Sequence, residues 1–336
     1  MDSQPPLVLA ISRPGRALAA RIAEACAGEL GARDALAAAF RGGRPIIAVG
    51  ALGIWTRLLA PHLGDKLLDP PVVVVDDAGR FAIALTGGHH GGNALATRVA
   101  ALIGAMPVIT TATDALGLPS IETLAERHGW HLDATRTARL HVAAALVNGE
   151  AVAIFQDQGD RGWLDAIPAH VHRDATPPIG TDASAAIFVT DRVLPEIEAW
   201  AERAVVLRPP TLVAGIGASR GAPCDEVLAL LHSALDEAGL AIGSVAVIAT
   251  ADLKHDEPGI IEAATTLGVP LRCFPTELLA TVHVPTPSAV VASHVQTASV
   301  CEAAALLASG ARALLVEKRK SAHATVAIAR IAEVPA

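Results

Sequence analysis

Residues 71–76 read Pro-Val-Val-Val-Val-Asp, four consecutive valines between a proline and an aspartate. A β-branched residue at every position leaves the strand no polar face, so it must be covered on both sides. That requirement restricts the chain to layered folds with helices on both faces of a sheet. The surrounding sequence supplies those helices. Apolar runs at 7–12, 45–50 and 106–109 alternate with Ala-rich stretches of helical spacing at 16–27 and 32–40 and with further expected helices at 55–60, 93–103 and 120–128. The turn Asp77-Ala78-Gly79-Arg80 joins the valine strand to a partner at 81–85, which predicts a hairpin there.

From about 133 to 208 the pattern softens. Short strands are expected at 151–155, 185–189 and 204–207, with irregular segments at 156–162 and 173–182. Pro209-Pro210 marks a boundary, because two prolines cannot sit inside a sheet. A second α/β unit follows. Its strands are expected at 211–216, 245–250, 269–273, 313–317 and 324–330, and its helices at 223–238, 258–267, 276–280 and 299–308. The expected architecture is α/β: two Rossmann-like three-layer parallel-sheet domains, 1–133 and 209–336, flank a small α/β middle domain, 134–208. A length of 336 residues agrees, since about 150 residues per domain predicts two or three.

Composition removes several functions. There are four Trp, five Phe and no Tyr, and the formal net charge is −8. Single-strand nucleic-acid binders stack bases on aromatics and seek phosphates with cations, so nucleic acid is not an expected partner. The same shortage argues against an aromatic sandwich around a ring ligand. Cys26, Cys224, Cys273 and Cys301 form no C-x-x-C pair, so neither a cysteine zinc site nor a disulfide framework is expected. The polar, Pro-rich residues 1–6 do not read as a signal peptide, and no uninterrupted apolar run reaches membrane-spanning length. The expectation is a soluble, reduced, cytoplasmic protein.

In open α/β sheets, ligands bind where strands end and helix N-termini offer free N–H groups. Four loops occupy such positions. Thr86-Gly87-Gly88-His89-His90-Gly91-Gly92-Asn93 combines backbone freedom with two imidazoles suited to acid–base work or metal ligation, or it is a turn with two solvated histidines. Thr110-Thr111-Ala112-Thr113-Asp114 offers short polar side chains to a carboxylate or a reacting oxygen, or it caps a helix. Gly215-Ile216-Gly217-Ala218-Ser219-Arg220-Gly221 looks like a phosphate loop. It misses the dinucleotide spacing and lacks a P-loop lysine, but Arg220 suits a carboxylate. Thr250 to Glu257, with Asp252, Lys254, His255, Asp256 and Glu257, is an active-site wall or an exposed charged loop. His294, Glu302 and Lys318 belong to no motif, and the sequence has no G-x-S-x-G elbow.

Taken together these segments resemble a known family. Ala48-Val49-Gly50, Arg57 to Pro61, Asp69 to Asp76, Gly79-Arg80-Phe81, the Gly/His loop and Pro107 to Asp114 resemble the N-terminal domain of the cobalt-precorrin-5A hydrolase (CbiG) family of cobalamin biosynthesis. Gly215–Gly221, Asp252-Leu253-Lys254, Asp256-Glu257-Pro258-Gly259, Ser299-Val300, Glu302 to Ala305, Glu317-Lys318 and Thr325 to Ala329 resemble its C-terminal domain, which also occurs alone as CobE. Ala218 stands where the family commonly has Cys. Two adjacent histidines stand where it commonly has one, and Gln296-Thr297 replaces the usual Gly-Thr.

The resemblance implies opening of the ring A δ-lactone of cobalt-precorrin-5A, with loss of acetaldehyde, to give cobalt-precorrin-5B. It implies catalytic roles for His89, His90, Thr110, Thr111, Thr113 and Asp114. It implies substrate contacts at Gly87, Gly88, Gly91, Gly92, Asn93, Gly215, Gly217, Ser219, Arg220, Gly221, Asp252, Lys254, Glu257, Ser299, Glu302 and Lys318. Cobalt arrives with the corrinoid substrate, so no protein cofactor or metal site is expected. A homo-oligomer and contacts with other cobalamin-pathway enzymes stay open. The rival readings are a non-catalytic corrinoid carrier, an enzyme acting on a cobalt-free intermediate of the oxygen-dependent pathway, and a nucleotide-dependent enzyme using Gly215–Gly221.

Overall fold

The computed structural model describes residues 4–66, 68–88, 91–111, 120–166, 171–174, 176–178, 182–286 and 299–332. They form two compact units, Met1–Leu124 and Ala125–Ala336. The first unit holds strands β1 Leu7–Ala10, β2 Glu29–Leu30, β3 Ile46–Val49, β4 Val72–Val75, β5 Phe81–Thr86 and β6 Met106–Val108. Its helices are α1 Arg13–Ala25, α2 Leu36–Arg41, α3 Leu52–Leu59 and α4 Gly92–Ile103, and α5 Ile121–His128 follows. The sheet order is β2-β1-β3-β4-β5-β6, parallel except at the β4–β5 hairpin.

The valine strand lies centrally, and its side chains divide between two cores. Val73 and Val75 join Val8, Ile47 and Val49 beneath Leu18 and Ile22 of α1 and Leu95 and Val99 of α4. Val72 and Val74 join Leu7, Leu9, Ile46 and Ala48 beneath Phe40, Trp55 and Leu59 on the other face. Alternation along each strand feeds both layers, so every position is apolar. Each fully buried Leu, Ile or Val contributes about 2 kcal/mol. Helix α1 begins three residues before the expected start. Ser12 caps it, accepting from the Gly15 amide at 2.9 Å, and Pro14 is tolerated in the first turn because its missing N–H is not needed there.

The second unit carries two sheets. One contains β7 His131–Asp133, β8 Val152–Gln156, β9 Val171–Asp174, β10 Ala185–Val189 and β11 Ala204–Arg208, ordered β7-β11-β10-β8-β9, with only β7 antiparallel. It also contains a helix the sequence reading did not anticipate, α6 Arg136–Val147. The run Ala143-Ala144-Ala145 blurs its apolar stripe, although Thr135 caps it by accepting from Ala138 N at 3.1 Å. A short helix, α7 Pro195–Glu198, follows β10.

The other sheet contains β12 Leu212–Ala218, β13 Val245–Ala251, β14 Leu271–Phe274, β15 Val316–Lys320 and β16 Ala324–Arg330, ordered β14-β13-β12-β16-β15. It is not wholly parallel, because β16 runs antiparallel to both β12 and β15. Only three residues separate β15 from β16, too few for a parallel crossover. Helices α8 Cys224–Glu237 and α9 Pro258–Leu267 cover one face. Helices α10 Thr276–Ala280 and α11 Val300–Ser309 cover the other.

The two sheets of this unit are joined by an ion pair whose carboxylate is buried and whose guanidinium is half-buried. Asp191, fully buried, accepts from Arg330 Nε at 2.7 Å and Nη2 at 3.0 Å, and from Thr211 Oγ1 at 2.7 Å. Backbone bonds from Val193 N to Gly239 O and from Ala241 N to Asp191 O, both 2.8 Å, run beside it.

Candidate functional site

Two groups of predicted residues assemble, one in each unit. In the first unit, β5 and β6 are parallel neighbours, so the loops after them emerge together. Asn93 Nδ2 donates to Thr111 Oγ1 at 3.0 Å, which ties the glycine loop to the threonine segment. Gly88 lies so close to Thr111 that a Cβ on it would stand 2.8 Å from Thr111 Cγ2. Gly87 has φ +67 and packs on Pro71, where a Cβ would meet the proline nitrogen at 2.5 Å. Its carbonyl accepts from Gly92 N at 2.8 Å, closing the loop at the start of α4, and Thr86 Oγ1 donates to Pro70 O. Gly91 stands before α4, where free amides can receive an anion. Thr110 is exposed beside Thr111. His89, His90, Thr113 and Asp114 lie outside the described residues.

In the second unit, Gly217, Ser219, Arg220, Lys254, Ser299 and Lys318 line one cavity of about 580 Å³. Lys320, Ser321, His323 and Thr325, which the sequence reading did not place in a site, complete its wall. Their signal was the β15–β16 turn, which reaches the cavity only because β16 pairs with β12. Among the described lining residues are four Lys or Arg side chains and no Asp or Glu. The first residues of α11 also line it, adding a helix N-terminus. A protein of net charge −8 thus presents a locally cationic cavity.

Carboxylates hold the walls from outside the cavity. Glu226 accepts from Ser321 Oγ, from His323 N at 2.7 Å and from His323 Nδ1 at 2.9 Å. The Ser321 hydroxyl first, and then the His323 amide and imidazole, hold its carboxyl down to about 2. Ser219 N donates to His323 O at 2.7 Å, so glycine loop and turn are stitched together. Glu257, 1% exposed, accepts from Gly221 N at 2.6 Å and stands 4.0 Å from Lys254 Nζ. Asp252 accepts from Thr276 Oγ1 at 3.3 Å, while Arg220 pairs loosely with Asp256 across an exposed 3.7 Å contact.

Glu302 is fully buried and does not line the cavity. Gly215 is also structural, because it lies inside β12, and a Cβ there would meet the Cys301 carbonyl at 1.9 Å. The expected phosphate loop therefore loses its first glycine, and Gly217 to Arg220 is the part that lines the cavity. Burial pushes the Cys301 thiol up, which disfavours its thiolate. Among the described residues, no three His, Cys, Asp or Glu side chains gather as a metal site, and no helix is long and apolar enough to cross a membrane.

Three family descriptions match the chain in order: Cobalamin synthesis G N-terminal over residues 34–114, Cobalamin biosynthesis central region over 119–209, and Cobalamin synthesis G C-terminus over 212–329. A cobalt-precorrin-5A hydrolase of Priestia megaterium is 34% identical over 306 residues, spanning 89% of this chain and 82% of that one. A cobalt-precorrin-5A hydrolase of Salmonella typhimurium is 36% identical over 251 residues, spanning 70% of this chain and 67% of the relative. Protein CobE of a Sinorhizobium species is 38% identical over 121 residues, 35% of this chain and 79% of CobE. With all three regions matched in sequence order and a relative matched along most of its length, the chain belongs to the CbiG family of cobalamin synthesis proteins.

Proposed function

We propose that this protein is a hydrolase of cobalamin biosynthesis that converts cobalt-precorrin-5A to cobalt-precorrin-5B. Water adds to the carbonyl of the ring A δ-lactone, and the acyl C–O bond opens to a carboxylate. C20 then leaves with its methyl group as acetaldehyde. Such a reaction needs a base for the water, donors for the developing oxyanion and a proton shuttle for C–C cleavage. His89 or His90 serves as base, and the Thr110–Asp114 segment supplies oxyanion donors. The tie between Asn93 and Thr111 supports this, since it brings the two loops into one cluster. The cavity lined by Arg220, Lys254, Lys318 and Lys320 has the chemistry to bind acetate and propionate arms of a corrinoid. Cobalt travels as part of the substrate.

The observation that carries the reading is the cationic cavity without a lining carboxylate, in a member of a family whose relatives are hydrolases of a polyacidic corrinoid. The reading carries with it Rossmann-like first and third domains, 1–133 and 209–336, around a middle domain 134–208, and a cytoplasmic location. Helices on both faces of the first and third sheets support the domain part. Incubation with cobalt-precorrin-5A and an aldehyde trap tests the function. Acetaldehyde should form stoichiometrically, and alanine at both His89 and His90 should abolish it while substrate still binds. Binding without aldehyde from the unaltered protein would make it a carrier. Undiminished release from the double variant would move the base elsewhere.

A further inference from the structure

Lys318 lines the cavity, yet its place there is set by a residue that does not. Its Nζ donates to the Thr286 carbonyl at 2.5 Å. Thr286 is in turn held by Glu302, through its hydroxyl to Oε1 at 2.6 Å and its amide to Oε2 at 3.3 Å. The Lys318 amide also donates to Glu302 Oε1, at 3.2 Å. One fully buried carboxylate in the first turn of α11 therefore fixes both the backbone of Lys318 and the carbonyl that steers its ammonium. A buried carboxylate is costly to retain, and an apolar residue of similar volume would serve packing as well or better. An ammonium has three donors. One is spent on Thr286, which leaves two for a ligand at a defined position.

We infer that Glu302 is a positioning residue, which acts through Thr286 to hold Lys318 as a fixed anchor for a peripheral carboxylate of the ligand. Holding the cation in advance removes the entropy of immobilising a long side chain on binding. This rests on the reading of the cavity as a carboxylate site.

The probes are cobyrinic acid, a cobalt corrinoid with free peripheral carboxylates, and its methyl ester, in which they are capped. Titrated into the full chain, the acid should bind and the ester should bind far more weakly. Glu302→Gln and Lys318→Ala should each weaken acid binding about tenfold. The double variant should lose no more than either single one, and residual ester binding should not change. If Glu302→Gln fails to fold, Thr286→Ala carries the test, since it keeps the backbone groups and removes the hydroxyl contact, with the same loss and the same non-additivity with Lys318→Ala expected. Equal binding of acid and ester by the unaltered protein overturns the carboxylate reading, and the inference with it. Discrimination in the unaltered protein, with losses that add or that extend equally to the ester, overturns the positioning role alone.

Discussion

Single carboxylates set the shape of the cationic cavity. Glu226 is the clearest case, because three donors from one turn converge on it. Its folded value, about 2, lies below its ordinary 4.5. Its contribution is therefore full above pH about 4.5 and drains away as pH falls towards 2. The protection of the His323 amide against hydrogen exchange should fall across that window. Glu226→Gln should show low protection that stays flat there, and an identical profile in both proteins would refute the role. Sequence alone placed neither Glu226 nor His323 in a site. They stand 97 residues apart, and only the pairing of β16 with β12 brings the turn to α8. By contrast Ser219, Arg220 and Lys254 were legible, because strand ends in an α/β sheet are where ligands bind, whereas Lys318 belongs to no motif and entered only through the family resemblance.

At the level of elements, apolar runs located most strands. Those at 185–189 and 324–330 match their observed bounds, as do the helices at 258–267 and 276–280. Direction was less legible, because an apolar strand looks the same whichever way it runs, and only the short 321–323 connection signals that β16 is antiparallel. Helix α6 escaped because alanine serves buried and exposed positions alike, leaving no stripe to read. Gly215 carries a further lesson. Its place beside Gly217 suggested a ligand loop, but the constraint comes from α11 crossing β12 at backbone distance. Gly215→Ala should push α11 off the sheet and destabilise the protein by about 3 kcal/mol, at the upper end of overpacking costs. Urea unfolding would measure this, and a midpoint within error of the unaltered protein would show that the helix yields without penalty.

On the scale of the whole molecule, the second unit must hold its middle and C-terminal sheets together across the short Pro209-Pro210 connection. The Asp191–Arg330 pair lies on that junction, with its carboxylate fully buried and its guanidinium 31% exposed. Removing one partner strands a charge away from water, which costs more than the intact pair contributes. Arg330→Met should therefore destabilise the unit by about 3 kcal/mol, because among the described residues Asp191 then keeps the Thr211 hydroxyl as its hydrogen-bond donor, with the charge of Arg208 only partly compensating. Asp191→Asn in the same background removes the stranded charge and should restore much of the loss. That makes the double variant more stable than Arg330→Met alone, an interaction of the kind double-mutant cycles isolate. Chemical denaturation followed by a middle-sheet probe such as Trp163 and by a C-terminal probe gives the second readout. The two transitions should coincide in the unaltered protein and separate in Arg330→Met, since the pair links sheets that each have their own core. Coincident transitions with an undiminished midpoint would mean that the backbone bonds beside the pair suffice to bind the two sheets into one unit.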